Sequence, residues 1–419
     1  MNPKSEAIHQ KSEFKTIVVL FVIMRLTILL LYTPQGLLNA YTDTNYYYRT
    51  AQLSDQGYYP FVNMWYEYPP IATYISQGVY SLTRNLPADG AIDVRYQVYS
   101  RLLSGLFLIF ETGVLILIHR IAAKCWETVT ADRLGWIYSV LSVPLFFWNA
   151  SQNSVVVFFA LWSIEAFLDS HQIRSAIALG LGIATKFTPF FLLAPAIKFL
   201  LPNLRASIKY AAITIVTTIA IFIPFVLLGG WQWIVASFSA LGRLASYSTA
   251  WALIDGNWQP GDAGPLINRI QLDAVNQLPG NPAVVPWLVT IGVLGVIYWL
   301  IFRRPIKPLG PKEYVRFSTL TLMIFLVWSK GWSPQWATLV IPFLLLSFPD
   351  RRGVIITLLL TLLVFIEWPL ADALQSHAWL AIAIVGRTLL FIAAAFIIAR
   401  EWWTPSALSR AEVAPLTQR

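Results

Sequence analysis

Ala184-Thr-Lys186-Phe-Thr-Pro189 and Ser329-Lys330-Gly-Trp-Ser-Pro334-Gln335 each set a lysine inside a long apolar run, with a proline three or four residues further on. A charge in such a run is expensive, so an intramembrane ionisable residue marks a functional site by default. Proline breaks the helix and frees backbone groups. That is tolerated at membrane depth only where the backbone lines a cavity or is buried in protein. As single helices the two runs, 175–200 and 316–348, would measure about 39 Å and about 50 Å at about 1.5 Å per residue. Both exceed the roughly 30 Å of a hydrocarbon core. Each is expected to be a hairpin of two short helices with its lysine near the turn. Two such breaks point to one polar pocket built to hold an anion.

The rest of the chain fits a membrane. It has 419 residues, is 57% hydrophobic and only 12% charged, against about 25% charged for a soluble domain. Further apolar runs lie near 16–38, 97–118, 133–148, 154–170, 207–228, 284–302, 354–370 and 379–399. They do not alternate as the strands of a closed barrel do. The 15% aromatic content suits interfacial belts of Trp and Tyr. The net charge of +9 is not read as a nucleic-acid surface, because the basic residues cluster in short loops between apolar runs, as cytoplasmic loops do. Cys125 is the single cysteine, so no intrachain disulfide forms. The polar start lacks the layout of a cleaved signal, and the run 16–38 is read as a retained anchor.

Charge sets the threading. Arg303, Arg304, Lys307, Lys312 and Arg316 form the densest basic loop. It is expected to be cytoplasmic, with Lys4, Lys11, Lys15 and Asp350-Arg351-Arg352. These assignments agree only if both broken runs are hairpins. The expected fold is one all-α membrane domain of about twelve transmembrane helices, both termini inside. Its parts are a first helix at 16–38, an outer loop at 39–96, helices through 97–228 with the Lys186 break, a second outer loop at 229–283, helices through 284–400 with the Lys330 break, and a cytoplasmic tail at 401–419. The apolar segment 69–83 is expected to be an interfacial helix, since a full span would spoil the parity. The first outer loop, Lys186, Lys330 and Ser151-Gln152-Asn153 then share one face.

Asp43, in Tyr41-Thr-Asp-Thr-Asn-Tyr, lies just past the first helix. It is either a partly desolvated general base or a helix cap. Glu67, before Tyr68-Pro-Pro, is the loop's second carboxylate and is read first as an interfacial acid with no chemistry. The lysines either hold an anion or snorkel to the headgroups. Gln152 and Asn153 either cap helices or donate to a sugar or phosphate. Arg25, Glu111, Glu165 and Glu367 lie in apolar runs, where Arg–Glu pairs are a structural option. No metal-ligand spacing, Walker loop or dinucleotide fingerprint is present.

In order along the chain these pieces resemble the GT-C class of integral-membrane glycosyltransferases, and within it glycosyltransferase family 87, which includes polyprenyl-phosphate-mannose-dependent mannosyltransferases. The matching motifs are Asp43 after the first helix, Gly57-x-x-Pro-Phe61, Tyr-x-Pro-Pro ending at Pro70, Ser151-Gln152-Asn153, Lys186-x-x-Pro189, and Ser329-Lys330 to Trp336. The pattern departs at Ser151, where the family has glycine, and at Asn45, where relatives with an acidic pair have a second acid. A divalent metal held by two carboxylates is therefore not expected, nor any other cofactor. The resemblance implies an inverting transfer of a sugar, mannose by family weight, from a polyprenyl-phosphate donor. The acceptor would be a glycan, glycolipid or protein on the non-cytoplasmic face of a cell membrane. It implies Asp43 as base and Lys186 and Lys330 on the lipid phosphate. Gln152, Asn153, Gln335, Glu67 and Tyr68 are then candidates for sugar or acceptor contacts. The competing reading is a lipid or small-molecule transporter or flippase, since transporters also build midplane sites from broken helices. A third is a non-catalytic subunit of a glycan pathway.

Overall fold

A computed structural model of the chain describes residues 3–31, 42–88, 93–259, 261, 263–278, 284–303 and 310–403. Residues 32–38 of the expected first span, Arg304 and Lys307 of the basic loop, and the tail beyond 403 lie outside the described residues.

After helix α1 (Pro3–Leu31), the segment expected to be the first outer loop holds α2 (Thr44–Gln52), a 3-10 turn (Leu53–Gln56) and α3 (Pro70–Thr83). Next come α4 (Val94–Cys125), α5 (Thr128–Val140), α6 (Ser142–Phe147) and α7 (Asn153–Leu168). The run at 175–200 is α8 (Gln172–Thr185), a 3-10 turn (Thr188–Leu192) and α9 (Leu193–Leu200). Helix α10 (Leu204–Gly229) reaches the second outer segment, with α11 (Gln232–Arg243) and α12 (Ala250–Asp255). The last group is α13 (Trp287–Phe302), α14 (Pro311–Trp328), α15 (Ala337–Ser347), α16 (Arg351–Phe365), a π-helical turn (Ile366–Ala371) and α17 (His377–Trp403). Among the described residues there are no strands, only isolated bridges such as Tyr247 with Gly331.

Helix starts follow local chemistry. Asp93 accepts from the Tyr96 N–H at 2.8 Å and opens α4. Asn203 accepts from Ala206 N–H at 3.1 Å and opens α10. Asp350 accepts from Arg352 N–H at 2.9 Å and opens α16. Each satisfies a donor that the first helical turn leaves without a partner. Helix α3 begins at Pro70, where the missing N–H costs nothing. Its 14 residues span about 21 Å, short of a crossing.

Both lysine–proline runs reverse direction. Tyr314, at the start of α14, stacks on Phe167 at 4.1 Å and meets Phe199 edge-on at 5.1 Å. The ends of α7 and α9 therefore lie beside the start of α14. Lys186 lies at the opposite end, with its Nζ donating to Asn153 at the start of α7 and resting 4.1 Å from the Trp336 ring. The chain climbs α8 to Lys186 and descends α9. Arg316 Nε donates to Ser347 O at 3.4 Å, which likewise returns α15 to the level of the start of α14, with Lys330 at the far turn.

The polar residues are thus sorted to two ends. One end is basic. Lys124 pairs with Asp169 at 2.6 Å and Glu165 at 3.3 Å, and Lys312 lies over Trp126. The other end carries both outer segments, the 148–153 turn and both lysine turns. Among the described residues, five helices are long and apolar enough to cross a membrane: Glu13–Leu31, Val94–Cys125, Leu204–Gly229, Arg351–Ala371 and His377–Arg400. Four shorter apolar helices accompany them.

Charges within the helical body are paired. Arg25 lies 3.7 Å from Glu111, both buried, and Tyr138 donates to the same carboxylate at 2.8 Å. Glu367 is bound by Arg387 and by Trp332 Nε1. For Glu367 these donors offset part of the cost of burying a charge, whereas the Arg25 guanidinium has the neighbouring carboxylate's charge but no hydrogen bond.

Candidate active site

The polar end holds a cleft of about 890 Å³ lined by Asp43, Glu67, Tyr68, Lys186, Tyr247, Ser248, Gln335, Asp372 and a wall of aromatic and aliphatic side chains. Asp43 stands at the N-cap position of α2, but its side chain makes no cap bond. Its backbone N–H donates to Ala150 O at 2.8 Å, which fixes the residue against the 148–153 turn. The carboxylate is turned to the cleft. Oδ2 accepts from Gln335 Nε2 at 2.9 Å, Tyr68 OH at 3.0 Å and Tyr47 OH at 3.2 Å. One oxygen is therefore held by a tyrosine one helical turn on, by Tyr68 later in the same segment, and by Gln335 from the far end of the chain. Burial pushes the Asp43 carboxyl above the ordinary carboxylate range; the nearby Lys186 charge and the three donors pull against it.

Lys186 is brought to the same cleft by its helix break. It leaves α8 in an extended conformation, and Pro189 opens the following 3-10 turn. Nζ donates to Asn153 Oδ1 at 3.1 Å, while Asn153 Nδ2 donates to Gln335 O at 2.8 Å. Asn153, almost wholly buried, thus stands behind the cleft and ties the Lys186 turn to the Gln335 turn. Gln152 is equally buried and does not line the cleft. Gln335 does, and its Oε1 is buried with no hydrogen-bond partner. An acceptor left so beside a cleft is costly unless a ligand or water fills it.

Lys330 departs from the expectation. Its side chain is exposed and donates to Gly242 O at 2.8 Å, and Lys330 is not among the residues of the cleft. The break places the lysine at the correct end but aims it at the second outer segment. Its carbonyl accepts from Tyr247 N–H at 2.9 Å, and Trp332 N–H donates back to Tyr247 O at 3.2 Å. That exchange seats Tyr247 and Ser248 over the cleft.

Glu67 lines the cleft but is held from behind by Arg269 and Tyr46. The Arg269 guanidinium is buried between the Tyr46 and Trp65 rings, 5.1 and 4.9 Å from their centroids. Tyr68 lines the cleft and serves Asp43 directly. Sequence reasoning missed Tyr47, Arg269 and Tyr247. Arg269 has one signal, being the single basic residue in the stretch 244–283.

No protein-family model matches the chain, and no curated protein does. Among solved structures it is similar to the oligosaccharyltransferase of Archaeoglobus fulgidus. The apo form is 12% identical with a TM-score of 0.44, covering 92% of this chain and 55% of that one. The form tethered to an acceptor peptide containing the NVT sequon is 11% identical at 0.40, covering 92% and 54%. The complex with Zn and sulfate is 12% identical at 0.40, covering 90% and 53%. The chain spans about half the length of that protein. At these scores the likeness decides neither the fold nor the activity.

Proposed function

We propose that this chain is a membrane-embedded inverting glycosyltransferase that moves a sugar from a polyprenyl-phosphate donor to an acceptor hydroxyl at the polar, outer end of about twelve transmembrane helices. The sugar we propose is mannose. The observation that carries this is the meeting, in one cleft beside an apolar wall, of the Asp43 carboxylate, held by three donors, with the Lys186 ammonium. Phe187, Phe190, Phe191 and Phe325 form that wall, a surface suited to a prenyl chain.

The chemistry needs one base and one cation. Asp43 takes the proton from the acceptor hydroxyl as its oxygen attacks the anomeric carbon. The bond from that carbon to the phosphate oxygen breaks, and its electron pair leaves with the polyprenyl phosphate. Phosphate is already a weak base, so no acid has to protonate it. Lys186 stabilises the charge that develops there. Attack from the face opposite the leaving group inverts the centre, as with the base of an inverting glycosidase. Gln335 Oε1 is free to take a sugar hydroxyl while its amide N–H keeps Asp43 in place. Lys330 has no part in the phosphate site.

The test is transfer from radiolabelled polyprenyl-phosphate mannose in membranes that contain the protein. Asp43→Asn is expected to lower transfer by about 10²–10⁴-fold and to keep donor binding. Unchanged transfer by the variant would remove Asp43 from its role. Donor that crosses the bilayer with no new glycosidic bond in the wild type would favour the flippase.

A further inference from the structure

A second cavity of about 820 Å³ lies on another face of the helix that Asp43 opens. Its wall is a stripe of α2 and the turn after it: Asn45, Arg49, Gln52 and Gln56. The spacings of four, three and four residues put these side chains on one helical face. Tyr48 of the same helix, with Tyr96 and Asp93 from the start of α4, adds to the lining. The Tyr48 and Tyr96 rings meet edge-on at 5.1 Å, and Tyr48 OH is held by Asp93 at 3.2 Å. A floor of Pro265, Leu266 and Ile267 from the second outer segment completes it.

This is the chemistry of a carbohydrate subsite. Amides, a guanidinium and the carboxylates of Asp55 and Asp93 present donors and acceptors together, and the half-buried Tyr96 ring borders them. The charged lining is one guanidinium, Arg49, and two carboxylates, Asp55 and Asp93, so a phosphate or a strongly acidic peptide is a poor fit. Asn45 faces this cavity two residues from Asp43, so the backbone between them spans at most about 7 Å. That is the reach of one to two sugar rings across the start of α2.

Resting on the function proposed above, we infer that this cavity holds the body of a glycan acceptor whose terminal hydroxyl reaches Asp43, so the acceptor is an oligosaccharide or polysaccharide of two or more sugars. A single sugar or a protein side chain would leave the cavity unused. Arg49 and Gln56 are exposed, so their removal spares the packed interior.

The experiment has two readouts on the full-length protein. The first is native mass spectrometry with a size-graded hydrolysate of the cell-surface polysaccharide of the producing cells. Bound masses of two or more sugars are expected for the wild type and for Asp43→Asn, and at least a tenfold loss for Arg49→Ala/Gln56→Ala. The second is transfer from radiolabelled donor to endogenous acceptor. The double variant is expected to raise the acceptor KM at least tenfold with kcat and donor binding nearly unchanged. Tyr96→Ala is expected to move both readouts the same way. Bound monosaccharides only, or full oligosaccharide binding and normal KM in the double variant, would overturn the inference. Failure of the function itself reads differently, since the wild type would then form no glycosidic bond while its binding readout still decides on the cavity.

Discussion

At Asp43 two effects oppose each other. Three hydrogen bonds to Oδ2 favour the ionised form, and burial at the cleft disfavours it. Burial wins, so the folded pKa lies above the ordinary value of about 3.9. A base is useful only when ionised, so kcat/KM is expected to fall as pH drops through a limb above that ordinary value. A pH–rate profile checks this. The sign for stability follows from linkage. The folded protein holds this proton more tightly than the unfolded chain, so the group's contribution to folding is fully present below the unfolded value of about 3.9 and is lost as pH rises through the raised folded value. Asp43→Asn is therefore expected to melt no earlier than the wild type at neutral pH, although transfer is lost. The two lysines separate in the same way. Lys186→Met is expected to weaken donor binding at least tenfold, and Lys330→Met to leave it within twofold, by labelled-donor titration. Lys186 and Asp43 were legible as a charge in a broken run and an acid at a helix mouth. Lys330 was misread because a lysine–proline pattern fixes where a helix stops and not where the ammonium points. Glu67 was half legible: its partner Arg269 stands 202 residues away, beyond any local pattern.

Close packing between elements gives sharper expectations. Gly229 ends α10 against the first outer segment, and a Cβ there would lie 2.1 Å from Val62 O. Backbone cannot yield as a flexible side chain does. Gly229→Ala is expected to cost about 1–3 kcal/mol and to lower the melting temperature in detergent. Within the helical body, Glu111 balances Arg25 and accepts from Tyr138. Glu111→Leu leaves a buried guanidinium without its counter-charge, at a cost of about 3–5 kcal/mol. Loss of folded protein by size-exclusion fluorescence measures that, and Arg25→Met in the same chain is expected to recover much of it. The positions of the long apolar helices were legible, because apolar runs and charged loops mark them. The exact breaks were legible because proline and lysine mark them. The path of the second outer segment was not: Tyr247 docks where a Cβ on Gly331 would lie 2.5 Å from its ring, a fit that only the folded surface defines.

For the molecule as a whole, the sorting of polar groups to two ends sets the direction that the proposed transfer needs. The basic end carries Lys124, Lys312 and Arg316, and the opposite end carries the cleft and the second cavity. If the basic end is cytoplasmic, Arg49→Cys is expected to react with an impermeant maleimide in intact cells and Arg352→Cys only after lysis. The native Cys125 is buried and leaves the background low. The reverse pattern would turn the cleft inward and sink the proposed acceptor side. The central claim is geometric and is tested most directly by a structure of the Asp43→Asn protein with a polyprenyl-phosphate sugar bound. The expected result is a phosphate oxygen about 2.7–2.9 Å from Lys186 Nζ, the prenyl chain along Phe187 and Phe191, and residue 43 facing the anomeric carbon from the side opposite the phosphate. A phosphate bound away from Lys186, or a sugar whose anomeric carbon turns its back on residue 43, would contradict it.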